Sequence, residues 1–113
     1  MAYSQHMSTI EKLNKNGIRF DFVELTSIAL RYGIVKISVF GSSVRTDNPA
    51  PNDIDLLVVF DSQATVSLFD IMDLETELAA LFNLPVDLVE PDALTNPIRR
   101  KNILSSVEPL YAA

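Results

Sequence analysis

Three aspartates and a glycine–serine turn carry the chemistry available to this chain. Asp53 and Asp55 stand two residues apart at the head of an apolar run, Ile54 to Phe60. Side chains alternate across a strand, so both carboxylates point to one side, with Cα atoms ~6.6 Å apart at ~3.3 Å per residue. Two carboxylates on one face are costly unless something positive lies between them. Hard divalent cations take oxygen ligands, and Mg²⁺ completes its shell with water and substrate phosphates. Asp87 holds a similar place in a later run, between Val86 and Leu88, which alternation turns to the opposite face. If that strand neighbours the one holding Asp55, the three carboxylates form one cluster. Such a cluster is enough for two metal ions ~3.5–4 Å apart, clamping the attacking and leaving oxygens of an in-line phosphoryl transfer.

Gly41-Ser42 supplies the other half. It follows the run Val35 to Phe40, and a glycine there lets backbone approach a ligand with no Cβ in the way. Turn N–H groups, the Ser42 hydroxyl and the Arg45 guanidinium suit the terminal phosphates of a nucleoside triphosphate, because the arginine fork can take two phosphate oxygens at once. Two of these residues have a plainer reading as well. Asp53 is a common turn residue ahead of a strand, and Arg45 can serve as a surface partner for Asp47.

Composition removes the competing chemistries. With no cysteine there are no disulfides, thiolate nucleophiles or cysteine zinc sites. The one histidine, His6, lies in the unpatterned stretch MAYSQHM, which leaves no partner for a Ser-His-Asp triad and no imidazole for zinc. Residues 1–6 read as an expression scar or disordered tail with a native start at Met7, and 7–113 as a single domain, the size expected of 113 residues. A net charge of −6 argues against general nucleic-acid binding. It is compatible with a nucleotide whose positive counterpart is a metal. No apolar run approaches the ~20 residues of a bilayer span and no secretory h-region opens the chain, so neither membrane nor export is expected and the setting is read as cytoplasmic.

The elements that position these residues are marked by period and by caps. Ser8-x-x-Glu11 opens a short helix carrying Ile10 and Leu13, closed by Gly17. Asp21 opens a second, with Leu25, Ile28, Ala29 and Tyr32 on one face and Gly33 at its end. Strands follow at Val35–Phe40 and, more apolar and therefore central, at 54–60. Ser67-x-x-Asp70 starts a helix that buries Leu68, Ile71, Leu74, Leu78, Leu81 and Phe82 and stops near Asn83, with Met72 also expected in the core. A third strand covers 85–89. A last helix from Pro97 turns Ile103, Leu104 and Val107 inward and ends at Pro109. Arg99-Arg100-Lys101 is expected on a solvated face and is left outside the site; Tyr32 and Tyr111 are expected to pack. The order predicts a small α/β or α+β domain with helices over a sheet.

Gly41-Ser42-x-x-Arg45, then Asp53-x-Asp55 on an apolar strand, then Asp87, resembles the polymerase-β-like nucleotidyltransferase superfamily. The resemblance covers roughly residues 35–111 and is greatest to the minimal branch, whose members include antitoxins paired with HEPN-type toxins. It implies a mixed sheet with flanking helices and a metal site of Asp53, Asp55 and Asp87. Gly41, Ser42 and Arg45 then map to nucleotide binding. It further implies transfer of a nucleoside monophosphate, AMP from ATP, with two divalent ions (Mg²⁺, or alternatively Mn²⁺). The same resemblance implies a hydroxyl acceptor, since some members of the branch attach AMP to a tyrosine of the partner toxin. The chain departs from the family pattern at Thr46, where glycine is frequent, at Pro49 and Pro51 in the loop, and at Asn52, where serine is frequent. A second reading is a non-catalytic antitoxin that neutralises its partner by occlusion, which the acidic charge would suit. Transfer to a small molecule such as an aminoglycoside is a third, though such enzymes usually carry a further domain.

Overall fold

The period of two in residues 34–40 and 54–60 produces an antiparallel strand pair, and everything else in the fold is arranged around it. In the computed structural model, residues 7–45, 47 and 51–113 are described. The N-terminal tail and loop residues Thr46 and Pro49 lie outside them. The elements are α1 (Thr9–Lys15), α2 (Phe22–Tyr32), β1 (Ile34–Phe40), β2 (Ile54–Phe60), α3 (Leu68–Phe82), β3 (Val86–Val89), α4 (Pro97–Ser106) and β4 (Glu108–Ala112). One mixed sheet has the order β3-β2-β1-β4. β1 runs antiparallel to both β2 and β4, while β2 and β3 run parallel. A parallel pair needs a crossover, and α3 supplies it.

The helix ends follow the expected local chemistry. Reciprocal capping boxes close the starts of α1 (Ser8 with Glu11) and α3 (Ser67 with Asp70). Gly33 and Asn83 take left-handed conformations at the ends of α2 and α3. On one face of the sheet, Leu13 of α1, Leu25 and Ile28 of α2, and Leu74, Leu78 and Phe82 of α3 pack on Ile37, Val39, Ile54, Leu56 and Val58. Burying a side chain such as Leu74 or Leu78 completely contributes ~1.5–3 kcal/mol. A smaller core lies on the other face, where Leu94 and Ile103 of α4 and its approach meet Phe40 and Leu57.

Three expectations fail. Leu68 and Met72 lie 73% and 56% exposed, because α3 meets the core through Leu74, Leu78 and Phe82 further along. Leu104 is 40% exposed, since α4 packs through Ile103 on the narrow second core alone. The last helix stops ahead of Pro109 as expected, and the chain goes on to form β4, a strand not expected from the sequence, which buries Leu110 and Tyr111. Pro109 is tolerated there because β4 is an edge strand whose register shifts between Ile37 and Ser38 of β1.

Tyr32 packs on the main core as expected and also does polar work. Its hydroxyl donates to Oε2 of Glu77, whose Oε1 lies 2.6 Å from Arg31, so the end of α2 is tied to α3. The bond to Glu77 is the main reason the Tyr32 hydroxyl is pushed from 10.0 up to about 12. A folded-state value above the unfolded one means that this link contributes below pH 10.0 and is lost as pH rises towards about 12. Ultraviolet titration of tyrosinate is expected to show a late phase that disappears in Tyr32→Phe.

Candidate active site

The site lies where β1 ends and β2 and β3 begin. Asp55 is registered against Asp87 across the parallel pair and against Phe40 across the antiparallel one. Registered neighbours in a sheet share a face and lie about 4.8 Å apart. The adjacency on which the acidic cluster depends is therefore present. Val86 and Leu88 turn to the main core and Val89 to the small one, so Asp55 and Asp87 lie on the face that α4 covers further along. Asp53 falls just before β2, in a bend, and like Asp87 is exposed, whereas Asp55 is half-buried.

Electrostatics mark Asp55 as the centre of this group. Burial pushes its carboxyl above the ordinary range, and the charges of Asp53 and then Asp87 push in the same direction. The charge of Arg99 opposes them. Arg99 stands in the first turn of α4 and, with Asp87, lines a cavity of about 280 Å³. It is exposed, as expected of its charge run, yet it belongs beside the carboxylates, which the run alone gave no reason to expect. Arg100 next to it donates instead to the Pro91 carbonyl.

Gly41 opens a 3-10 turn, Gly41–Val44, at φ +76°. A Cβ placed on it would overlap Oδ2 of Asp55 and come within 3.4 Å of Cγ. Glycine is thus required twice, by the left-handed backbone and by the carboxylate packed against it. Ser42 is half-buried in this turn and its carbonyl accepts from the Arg45 N–H at 3.2 Å. Arg45 itself makes a two-pronged pair with Asp47, 3.1 Å from Nε and 3.0 Å at the ion pair, with both side chains mostly in solvent. The structure therefore brings Asp53, Asp55, Asp87, Gly41 and Ser42 together and holds Arg45 on Asp47. An exposed pair of this kind is weak and readily exchanged for a phosphate.

Asn16 is a contributor that the sequence gave no sign of. It caps α1, is 5% exposed, and its Nδ2 donates to the carbonyls of Ser43 (2.7 Å) and Arg45 (2.9 Å). One buried amide thus pins the turn that presents Ser42 and Arg45. Only the tertiary placement of α1 reveals it. Asn16→Ala leaves two carbonyls without this donor and is expected to cost ~1–3 kcal/mol in thermal unfolding. It is also expected to raise the KM for the nucleotide more than it lowers kcat, which steady-state kinetics would read.

Among the described residues no three acidic, histidine or cysteine side chains close round one point tightly enough to hold a metal ion. The donor set nevertheless fits hard divalent cations. It is all carboxylate oxygen, it is crowded enough to raise Asp55, and a positive ion would relieve that crowding. No helix among the described residues is long and apolar enough to cross a membrane.

Comparison with known proteins bears on the family and the fold. A family model described as polymerase beta, nucleotidyltransferase, matches residues 23–113. The protein adenylyltransferase MntA of Thermococcus cleftensis is 40% identical over 77 residues, 68% of this chain and 75% of its own. A solved structure described as a minimal nucleotidyltransferase is 31% identical with a TM-score of 0.58, aligned over 95% of this chain and 100% of its own. The solved complex of a tri-AMPylated Shewanella oneidensis HEPN toxin with an MNT antitoxin contains a chain similar in fold. Its TM-score is 0.56 at 16% identity, over 90% of this chain and 73% of that one.

Proposed function

We propose, because this chain belongs to the polymerase beta nucleotidyltransferase family, that it transfers AMP from ATP to a hydroxyl on a partner protein. The acceptor in this reading is a tyrosine of a HEPN-type toxin, and the modification makes the chain an antitoxin. The observation that carries it is the registered pair Asp55 and Asp87 with Gly41 packed against Asp55. The relative named a protein adenylyltransferase and the AMPylated toxin in the similar complex support the acceptor class.

The chain's own residues divide the work. Turn N–H groups and the Ser42 hydroxyl hold the β- and γ-phosphates, and Arg45 exchanges Asp47 for phosphate oxygens, offsetting charge on the leaving group. Asp53, Asp55 and Asp87 would hold two Mg²⁺ ions (or Mn²⁺), which when bound supply the positive charge this acidic site lacks. Asp87, exposed at the mouth of the cavity, takes the proton from the acceptor hydroxyl. The acceptor oxygen then forms a bond to the α-phosphorus, the bond from that phosphorus to the bridging oxygen breaks, and pyrophosphate leaves.

The test is intact mass after incubation with ATP, Mg²⁺ and the product of the neighbouring gene. A gain of one or more AMP units on the partner is expected. A tight complex with no mass change on either protein would overturn transfer and favour neutralisation by occlusion, which a net charge of −6 would steer towards a basic toxin.

A further inference from the structure

β3 is four residues long and β2 is seven. β3 pairs with β2 only as far as Leu57, whereas β1 follows β2 on to Phe60. Among the described residues, therefore, Val58–Phe60 have a strand on one side and none on the other. Val58 is buried beside the segment that follows β3, and the accessible part of the edge is Val59–Phe60, both half-buried. The cavity of about 280 Å³ opens along this free edge. Its lining is mixed: Val58 and Phe60 from β2, Ile71 from α3 and Leu94 from the approach to α4 are apolar, and Asp87, Glu90 and Arg99 are charged. One end carries Asp87 and Arg99, so the cavity is continuous with the carboxylate site. A second hollow beside the same edge is lined by Glu90 and Asp92, both exposed.

Each feature narrows the occupant. A free edge binds extended peptide through main-chain hydrogen bonds, with alternate side chains entering pockets. At about 280 Å³ the cavity has room for one aromatic side chain. A mixed lining of this kind suits a ring that carries a hydroxyl at its tip. The acidic rim, on a chain of net charge −6, favours basic flanking residues.

We propose that this cavity is the acceptor subsite, holding a tyrosine ring with its hydroxyl at Asp87, presented on a basic extended segment that adds to the free edge of β2 at Val59–Phe60. The proposal rests on the protein adenylyltransferase reading and states how that acceptor docks. It leaves the phosphates to the Gly41 turn, on the far side of Asp55.

The test is titration of the ¹⁵N-labelled full-length chain with the peptide Lys-Val-Arg-Tyr-Val-Arg-Lys and its serine counterpart. A saturating non-hydrolysable ATP analogue and Mg²⁺ are present throughout. Amide shifts are expected at Val59–Phe60 and around Asp87–Leu94, with the tyrosine peptide bound about tenfold more tightly than the serine one. Ala93→Trp, an exposed position on the cavity wall, is expected to weaken the tyrosine peptide about tenfold and leave affinity for the ATP analogue unchanged. Glu90→Lys with Asp92→Lys is expected to weaken it too and flatten its salt dependence. Shifts confined elsewhere, equal binding of both peptides, or no binding would overturn the proposal. A parallel loss of affinity for the ATP analogue in Ala93→Trp would overturn it as well, by giving the cavity to the nucleotide. In a separate incubation with ATP in place of the analogue, docking as expected without AMP transfer to the tyrosine peptide would count against the adenylyltransferase reading and leave the subsite standing.

Discussion

Asp55→Asn is expected to abolish AMP transfer, by on the order of 10³-fold, while the protein melts no lower than the parent. The two outcomes have one cause. Asp55 is half-buried, its carboxyl is raised first by that burial and then by Asp53 and Asp87, and it contributes charge to a place where charge is costly. Asparagine keeps the shape and relieves the repulsion, so the fold has nothing to lose. In the proposed reading, a hard cation would lose a charged ligand at the point where both neighbouring strands converge, and with it the positive charge that would hold the triphosphate. Transfer assays by intact mass, paired with thermal melts of the same samples, read both quantities. Retained transfer would remove Asp55 from the chemistry. Lost transfer with a much lower melting temperature would mean the residue serves the fold.

Gly41→Ala is the second large effect, and Gly17→Ala is its control. Both glycines have left-handed backbone, φ +76° and +83°. Each alanine therefore meets a conformational penalty of ~1–2 kcal/mol. A Cβ at Gly17 meets nothing within 4 Å, whereas one at Gly41 overlaps the Asp55 carboxylate. Equal backbone cost with unequal surroundings isolates the contact. Gly17→Ala is expected to lose stability and keep its transfer rate. Gly41→Ala is expected to lose comparable or greater stability and about 100-fold in transfer, because Asp55 must move off its position. Similar rates in the two variants would show that the close approach at Gly41 has no catalytic meaning.

Much of the scaffold is legible before any folding is considered. The bounds of β2, the capping boxes at Ser8 and Ser67, and the left-handed stops at Gly33 and Asn83 are local events. Each depends on a side chain and a backbone a few residues away. The failures have a common origin as well. Leu68, Met72 and Leu104 lie on apolar stripes of their helices, and periodicity records a stripe without recording how far the opposing surface extends. β4 was hidden because Pro109 reads as a stop, and only its edge position and shifted register excuse the missing N–H.

Local sequence carries the inventory and its alternation: carboxylate oxygens and no cysteine, a glycine at the end of a strand, and aspartates set against apolar neighbours. The tertiary structure decided which of these meet. Asp55 faces Asp87 because α3 carries the chain back to lay β3 parallel to β2 in that register, and α3 is held by a core remote from the site. Asn16 reaches the Ser43 and Arg45 carbonyls because α1 docks beneath the turn, and Arg99 reaches the carboxylates because α4 covers the second face. Alternation and capping act over a few residues and are written locally, whereas adjacency between distant segments comes from the packing of the whole chain.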